Sequence, residues 1–174
     1  MDLFDAITKR HSYRGSLTDK PVSRDDLQTI VQAGINAPSG CNAQTTTFVI
    51  VDDTEKLNAM AEIMDKPMVS EAKAAIVCVV DRSPVYQEKS FAAEDCAAAV
   101  ENMLLAITAL GYATVWLQGN VQAENRAPRI AKLLGVPDNR EVLVVLPIGE
   151  PAEPGSPKEK LPFDQRAWFN SYGK

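Results

Sequence analysis

The segment KRHSYRGS, residues 9–16, carries side chains that can bind an anion. It combines the cations Lys9, Arg10 and Arg14 with serine hydroxyls and the only histidine of the chain, His11. Arginine offers phosphate a planar fork of donors, and a serine hydroxyl with nearby N–H groups completes the contacts. The segment is therefore a candidate phosphate site. Taken alone, it favours a plainer interpretation, solvated cations at a helix C-terminus, because short basic clusters are commonly solvated.

Composition limits the kind of protein. The chain has 174 residues, a formal net charge of −5 and a pI near 4.9, which predicts one domain over residues 1–174 and argues against a nucleic-acid partner. No apolar run has spanning length, and the acidic N-terminus does not resemble a signal peptide, so no membrane contact is expected. Cys41, Cys78 and Cys96 are widely spaced and lack a CxxC pattern. They indicate reduced thiols and argue against a zinc site. The lack of a signal-like or membrane-spanning segment predicts a cytoplasmic location.

Apolar periodicity predicts alternating helices and strands that position these residues. Ser23 is predicted to cap one helix, and Gly111 to end the longest helix. The longest helix is expected to be the central core helix, with Asp95 and Glu101 on the side that faces solvent or an interface. The predicted helices cover about 2–9, 24–37, 54–64, 92–110 and 127–134, and the predicted strands 46–52, 74–81, 113–119 and 141–149.

The tail from residue 150 onward has many prolines and little periodicity. It nevertheless carries four aromatic residues, namely Phe163, Trp168, Phe169 and Tyr172. Such rings are unfavourable in water. The tail is therefore predicted to wrap a partner subunit.

A second polar segment, APSGCNAQ at residues 37–44, follows a predicted helix and precedes a strand. Its small residues allow a flat ring to approach the backbone, while Asn42 and Gln44 offer amide donors and acceptors. The alternative is an ordinary helix-to-strand turn whose polar residues contact water.

Five segments in order, KRHSYR, APSGCNAQ, ENMLLAITALGYATVWLQG, LPIGEP and PKEKLP, resemble the FMN-dependent nitroreductase family over nearly the whole chain. The resemblance implies an α+β fold with a mixed, mainly antiparallel sheet flanked by helices. It also implies a homodimer in which the C-terminal tail, residues 150–174, crosses to the partner protomer. The phosphate would then be that of FMN.

The resemblance also implies which residues contact FMN. The matching positions are Arg10, His11, Ser12 and Arg14 at the phosphate and ribityl chain; the late basic pair Lys158 and Lys160; Pro38, Ser39 and Gly40 on a loop from the other protomer; the amides Asn42 and Gln44; and Gln118 and Gly119, whose N–H groups face the flavin N5. Gln44 is followed by Thr45 and Thr46, where many members have Gln-Pro-Trp. Packing around the ring is expected to differ there.

The implied activity is hydride transfer from NAD(P)H through flavin N5 to nitroaromatic, quinone or flavin acceptors by a ping-pong route. No side chain is assigned as a catalytic acid or base. Two alternatives stay open: a non-catalytic FMN-binding protein for storage or sensing, and a reductive dehalogenase on the same scaffold. A Rossmann site is excluded, because no two glycines form a GxG pattern.

Overall fold

The computed structural model describes residues 1–173. The helices are α1 (Leu3–Lys9), α2 (Arg24–Ile35), α3 (Thr54–Met64), α4 (Pro67–Glu71), α5 (Ala92–Ala109), α6 (Gly119–Gln122) and α7 (Arg126–Leu134). The strands are β1 (Thr46–Val51), β2 (Ala74–Val80), β3 (Ala113–Thr114) and β4 (Glu141–Gly149). Short 3-10 turns cover Gly40–Asn42 and Phe163–Gln165.

The strands form one sheet in the order β1-β2-β4-β3, and each neighbouring pair is antiparallel. Every residue of β2 is buried, as expected for an apolar run without alternation that is covered on both faces. Ile76 and Cys78 face a core shared with α2 and α5, whereas Ala75 and Val77 face a core shared with α3 and α7. The predicted α+β class with a mainly antiparallel sheet is confirmed.

Helix α5 is the central core helix, as predicted. Its apolar stripe, which includes Cys96, Val100 and Met103, is fully buried against the sheet. Helix α2 packs closely on it, since a Cβ on Gly34 would lie 2.9 Å from Met103 Cγ. Gly111 follows with φ +84°, the left-handed conformation that ends a helix.

The helix starts follow the predicted capping chemistry. The Ser23 hydroxyl accepts a hydrogen bond of 3.0 Å from the Asp26 N–H at the start of α2. The carboxylates of Asp2 and Asp53 accept equivalent bonds at the starts of α1 and α3. These bonds satisfy N–H groups that lack partners within the helix.

The predicted strand over 113–119 is wrong in extent. Only Ala113–Thr114 pair with β4 as a strand, Leu117 forms an isolated bridge to Val145, and the chain turns into α6 at Gly119. The reason is tertiary: Arg126 and Asn120 donate to the final carbonyls of α3 and hold α6 against it. Local apolar content does not reveal these contacts.

Helix α4 was also not predicted. It begins with a proline in its first turn, where a missing N–H costs no hydrogen bond. Separately, no helix within residues 1–173 has both the length and the apolar character needed to cross a membrane.

The Asp26 carboxylate joins the start of α2 to the segment after α5. It accepts hydrogen bonds from the Ser23 hydroxyl at 2.7 Å and from the Tyr112 hydroxyl at 2.8 Å. The bond from Ser23, followed by that from Tyr112, lowers the pKa of Asp26. A carboxyl group whose pKa is lower in the folded than in the unfolded protein stabilises the fold at pH values above the unfolded pKa, which is about 4. This stabilisation is lost as the pH falls through the folded pKa.

We therefore expect Tyr112→Phe to lower the thermal midpoint at pH 7 and to lower it less at pH 3, which is below the unfolded value, so that part of the contribution of the ionised carboxylate is already lost. Thermal unfolding monitored by circular dichroism at both pH values measures this difference. Tyr86→Phe, at an exposed ring, is the control. An equal deficit at both pH values would contradict the role assigned to the carboxylate.

Candidate functional site

The segment after α1 is held in place by Tyr13, so that its neighbours line a cavity. The buried Tyr13 donates its N–H to Thr114 O at 2.9 Å and its hydroxyl to Ser16 O at 2.9 Å. The start of the tail pairs with the same segment through Ala152 N–H and Ser16 O at 2.9 Å. Residues far apart in sequence therefore meet here.

The structure brings together all the predicted phosphate residues. They surround one cavity of about 210 Å³, lined by Arg10, His11, Ser12, Arg14, Ser156, Pro157, Lys158 and Lys160. Sequence reasoning missed Ser156 and Pro157, whose only signal was their position beside the late basic pair.

The cavity concentrates positive charge in an acidic protein. Arg10 Nε lies 3.7 Å from a carboxylate oxygen of Glu101 on α5. Arg14, Lys158 and Lys160 form no ion pair within the part of the chain that the structure describes. Converging cations without counter-ions produce a positive potential that attracts an anion. The arrangement suits a phosphate group better than it suits a solvated helix end.

His11 shows a second mark of a binding site. Its Nδ1 lies 2.9 Å from Lys9 O, so Nδ1 carries the hydrogen of the neutral ring. Its Nε2 is buried and has no hydrogen-bond partner among residues 1–173. Gly155 lies directly against the ring, where any Cβ would collide with Nε2. A buried acceptor without a donor is costly, and a ligand hydroxyl or a water would satisfy it.

The predicted loop occupies a different part of the molecule. Pro38, Ser39 and Gln44 line a cavity of about 340 Å³ between α2, β1 and α5. Gly40 lies beside a neighbouring hollow against Phe91. Neither cavity shares a lining residue with the basic cavity. Within one chain, the loop and the phosphate residues therefore line separate cavities.

The backbone of this loop is strained. Cys41, Asn42 and Gln44 have φ values of 52°, 55° and 51°. Residues other than glycine rarely adopt this left-handed backbone conformation. Backbone strain of this kind accumulates at functional sites. The Ser39 hydroxyl accepts from Gln44 N–H at 3.0 Å and closes the turn. Asn42 is exposed and lines none of the cavities described above.

The turn at Gln118 and Gly119 begins α6. Leu117 exchanges hydrogen bonds of 3.1 and 3.0 Å with Val145 and so anchors the turn to β4. The Trp116 indole donates to the Gln118 side-chain oxygen at 3.2 Å. The first N–H groups of a helix have no acceptor within it. The turn can therefore offer backbone donors to a ligand.

The expectation that Asp95 faces solvent or an interface is wrong. Asp95 is only 6% exposed, because the strained loop covers its side chain and donates hydrogen bonds to it. A signal was present in the sequence, since Asp95 lies one position before Cys96 and four before Ala99 on the apolar stripe of α5. Glu101 is half exposed, as expected, but pairs with Arg10.

Comparison with known proteins identifies the family. The model of the Nitroreductase family matches residues 7–89 and 65–150. A protein of Archaeoglobus fulgidus, described as a candidate NADH dehydrogenase/NAD(P)H nitroreductase, is 36% identical over 137 residues, 78% of each chain. The chain therefore belongs to the nitroreductase family, as its sequence resemblance predicted.

Solved structures agree with this membership. A candidate NADH dehydrogenase/NAD(P)H nitroreductase from Bacteroides thetaiotaomicron superposes with a TM-score of 0.86 at 31% identity, covering 98% of both chains. An FMN-dependent nitroreductase from Clostridium difficile superposes with a TM-score of 0.83 at 26% identity, covering 97% of this chain and 99% of that one. The fold is that of the family.

The basic cavity generates a direct test with FMN and riboflavin, which differ only by the phosphate. The double variant Arg14→Gln, Lys160→Gln is expected to weaken FMN binding by about tenfold or more, because a charge-assisted hydrogen bond contributes roughly 1.5 kcal/mol or more. Riboflavin binding should change little. Fluorescence titration measures both affinities.

A matched control removes the same charge elsewhere, through Arg129→Gln and Lys132→Gln on the exposed face of α7. It should leave both affinities near those of the unmodified protein. If the two double variants weakened FMN binding equally, net charge rather than the cavity would be responsible.

Proposed function

We propose that the protein is an FMN-dependent oxidoreductase that uses NAD(P)H to reduce small oxidised acceptors, with nitroaromatics, quinones and flavins as the candidate classes. The observation that carries the proposal is the convergence of Arg10, Arg14, Lys158 and Lys160 on one cavity. Family membership and the names of the relatives, which include NAD(P)H nitroreductase and FMN-dependent nitroreductase, support the same cofactor and donor.

The residues fit the phosphate end of FMN. The two arginines and two lysines would neutralise the phosphate, and the Ser12 hydroxyl would add a donor. His11 Nε2 acts as an acceptor in the neutral ring, which suits a ribityl hydroxyl better than a phosphate oxygen. Bound FMN would supply two-electron transfer between the donor and the acceptor.

The rest of the site would orient the flavin ring. Pro38, Ser39 and Gly40 would lie against the ring, with Asn42 and Gln44 as amide partners, and the N–H groups of Gln118 and Gly119 would face N5. Donors aimed at a position where negative charge develops favour its formation. NAD(P)H and the acceptor would use the same face in turn, a ping-pong route. No side chain of the site is assigned a proton-transfer role.

Turnover tests the proposal. The protein loaded with FMN should oxidise NADH or NADPH faster when menadione or a nitroaromatic compound is added, as followed by absorbance at the nicotinamide band. The double variant Arg14→Gln, Lys160→Gln should lose this rate at low FMN and regain it at saturating FMN. Tight FMN binding without acceptor-dependent oxidation would instead favour a storage or sensing protein.

A homodimer is the second part of the proposal, and exposed apolar surface supports it. Leu3, Phe4 and Ile7 on α1 are 62%, 77% and 50% exposed in the single chain. In the tail, Phe163 and Phe169 are 66% and 80% exposed. Surfaces of this kind are normally covered by a partner.

The separation of the two site regions argues for the same assembly. Since the loop and the basic cavity share no lining residue within one chain, a complete site would take the loop from one protomer and the cavity from the other. A twofold dimer would contain two such sites. The tail would cross to the partner, and the cytoplasmic location stays a prediction from the sequence.

We expect the protein to have the mass of a dimer by light scattering after size exclusion. Phe163→Ser with Phe169→Ser should shift it toward the monomer and weaken FMN binding together, because the exposed rings would no longer be buried at the interface. Tyr86→Ser, at another exposed ring, is the control. A monomer that binds FMN at full affinity would refute the shared site.

A further inference from the structure

The Asp95 side chain contacts the strained loop at both of its ends. One carboxyl oxygen accepts a hydrogen bond from the Gly40 N–H at 2.7 Å. The other accepts from the Thr45 hydroxyl, also at 2.7 Å. Asp95 and Thr45 are 6% and 5% exposed, so the bond between them is shielded from water, and the bond from Gly40 is partly shielded. Asp95 lies in the first turn of α5, where the helix dipole favours a negative charge.

The loop needs an external support of this kind. Three of its residues, Cys41, Asn42 and Gln44, hold left-handed backbone conformations, which persist only where the surroundings enforce them. Bonds inside the loop, such as Asn42 N–H to Ser39 O at 3.0 Å, keep it compact. They do not attach it to the rest of the protein.

Close packing at Gly40 strengthens the attachment. A Cβ at this position would collide with the Phe91 ring, which precedes α5. The loop backbone therefore lies against the start of α5, with Phe91 on one side and the Asp95 carboxyl group within hydrogen-bond distance. Because α5 is the best buried helix of the core, its first turn is a rigid base for the loop.

We propose that Asp95 is a positioning residue that holds the loop Pro38–Gln44 in its flavin-facing conformation, with the Thr45 hydroxyl as its partner. The proposal rests on the proposed function, which places this loop against the ring. Asp95 lines the cavities beside the loop, but Gly40 and Thr45 engage both of its carboxyl oxygens, so the role proposed for it is positioning and not electron or proton transfer. Its effect is to keep Pro38, Ser39 and Gly40 where a planar ring can lie on them.

Three variants separate the two bonds. Asp95→Ala leaves the Gly40 N–H and the Thr45 hydroxyl without their partner. Asp95→Asn keeps the shape, and its amide can accept from Gly40 while donating to the Thr45 oxygen. Thr45→Val removes one bond at nearly constant volume. Val100→Ala, in the same helix and fully buried, is a control that loses stability without touching the loop.

The first measurement is amide hydrogen exchange in the FMN-free protein, which is independent of the proposed function. In Asp95→Ala the Gly40 N–H should exchange at least about tenfold faster, because it loses a hydrogen bond to a carboxyl group. Asp95→Asn should keep most of the protection. Unchanged protection at Gly40 in Asp95→Ala would overturn the proposal.

The second set of measurements uses FMN. Asp95→Ala, which removes both hydrogen bonds, should bind FMN about tenfold more weakly. Thr45→Val, which removes only one, should weaken binding by a smaller factor. The visible circular dichroism of bound FMN should change in both variants, because the ring loses its fixed support. In turnover, KM for the acceptor should rise more than kcat falls. Val100→Ala should keep the dichroism spectrum despite a lower thermal midpoint.

The outcomes distinguish a failure of the proposed function from a failure of the positioning role of Asp95. If the unmodified protein did not bind FMN, the proposed function would fail, while hydrogen exchange would still report on the attachment of the loop. If it bound FMN and both Asp95→Ala and Thr45→Val matched it in affinity and dichroism, only the positioning role would fail. Should Asp95→Ala not fold, Thr45→Val decides the question, because unchanged FMN affinity and dichroism in that variant would refute the positioning role.

Discussion

The packing of α5 across one face of β2 and β4 is the contact on which the rest of the structure depends. Val100, Met103 and Ile107 are fully buried there, and burial of apolar side chains is the main stabilising contribution to a fold. Because the helix cannot shift without opening this core, its polar groups are fixed points. Asp95 holds the strained loop, and Glu101 lies against Arg10 of the basic cavity. One buried helix thus contacts both regions of the candidate site.

Electrostatics separates the candidate site from the rest of the surface. The protein is acidic overall, and several of its surface cations are paired, such as Lys20 with Glu150 and Lys73 with Asp19. The basic cavity is different, because three of its four cations have no carboxylate partner within residues 1–173. Like charges held together repel one another, so they are stable there only at some cost. An anion bound between these cations would offset their mutual repulsion.

Strain and exposed apolar surface point in the same direction. Left-handed residues at the loop, the buried and unpartnered His11 Nε2, and the exposed rings of the tail are each unfavourable for an isolated chain. A ligand would satisfy the histidine, and a partner subunit would cover the rings. These three features lie in the loop, the basic cavity and the tail, but features of the same kind also occur elsewhere: Gln87 and Glu88 have positive φ, and the buried hydroxyls of Thr46 and Thr114 have no hydrogen-bond partner among residues 1–173.

Local patterns in the sequence determined much of the fold. The apolar stripe of α5, the N-cap at Ser23, the stop at Gly111 and the fully apolar strands β2 and β4 were predicted correctly, because each depends on neighbours within a few residues. The basic residues near positions 10 and 160 were also recognised as one candidate phosphate site, although only through a family resemblance. Their roles in binding are still predictions.

Tertiary structure alone decided the rest. Asp95 was expected to face outward, although its place beside the apolar stripe of α5 was a signal for burial. The groups that bury it, Gly40 and Thr45, lie fifty or more residues away along the chain, and no local pattern specifies such contacts. The strand predicted over 113–119 ends early because Arg126 and Asn120 bind carbonyls of α3. Ser156 and Pro157 join the basic cavity because the tail folds back and packs Gly155 against the His11 ring. Sequence determines what each segment prefers by itself, whereas long-range hydrogen bonds and packing decide which of those preferences the folded chain keeps.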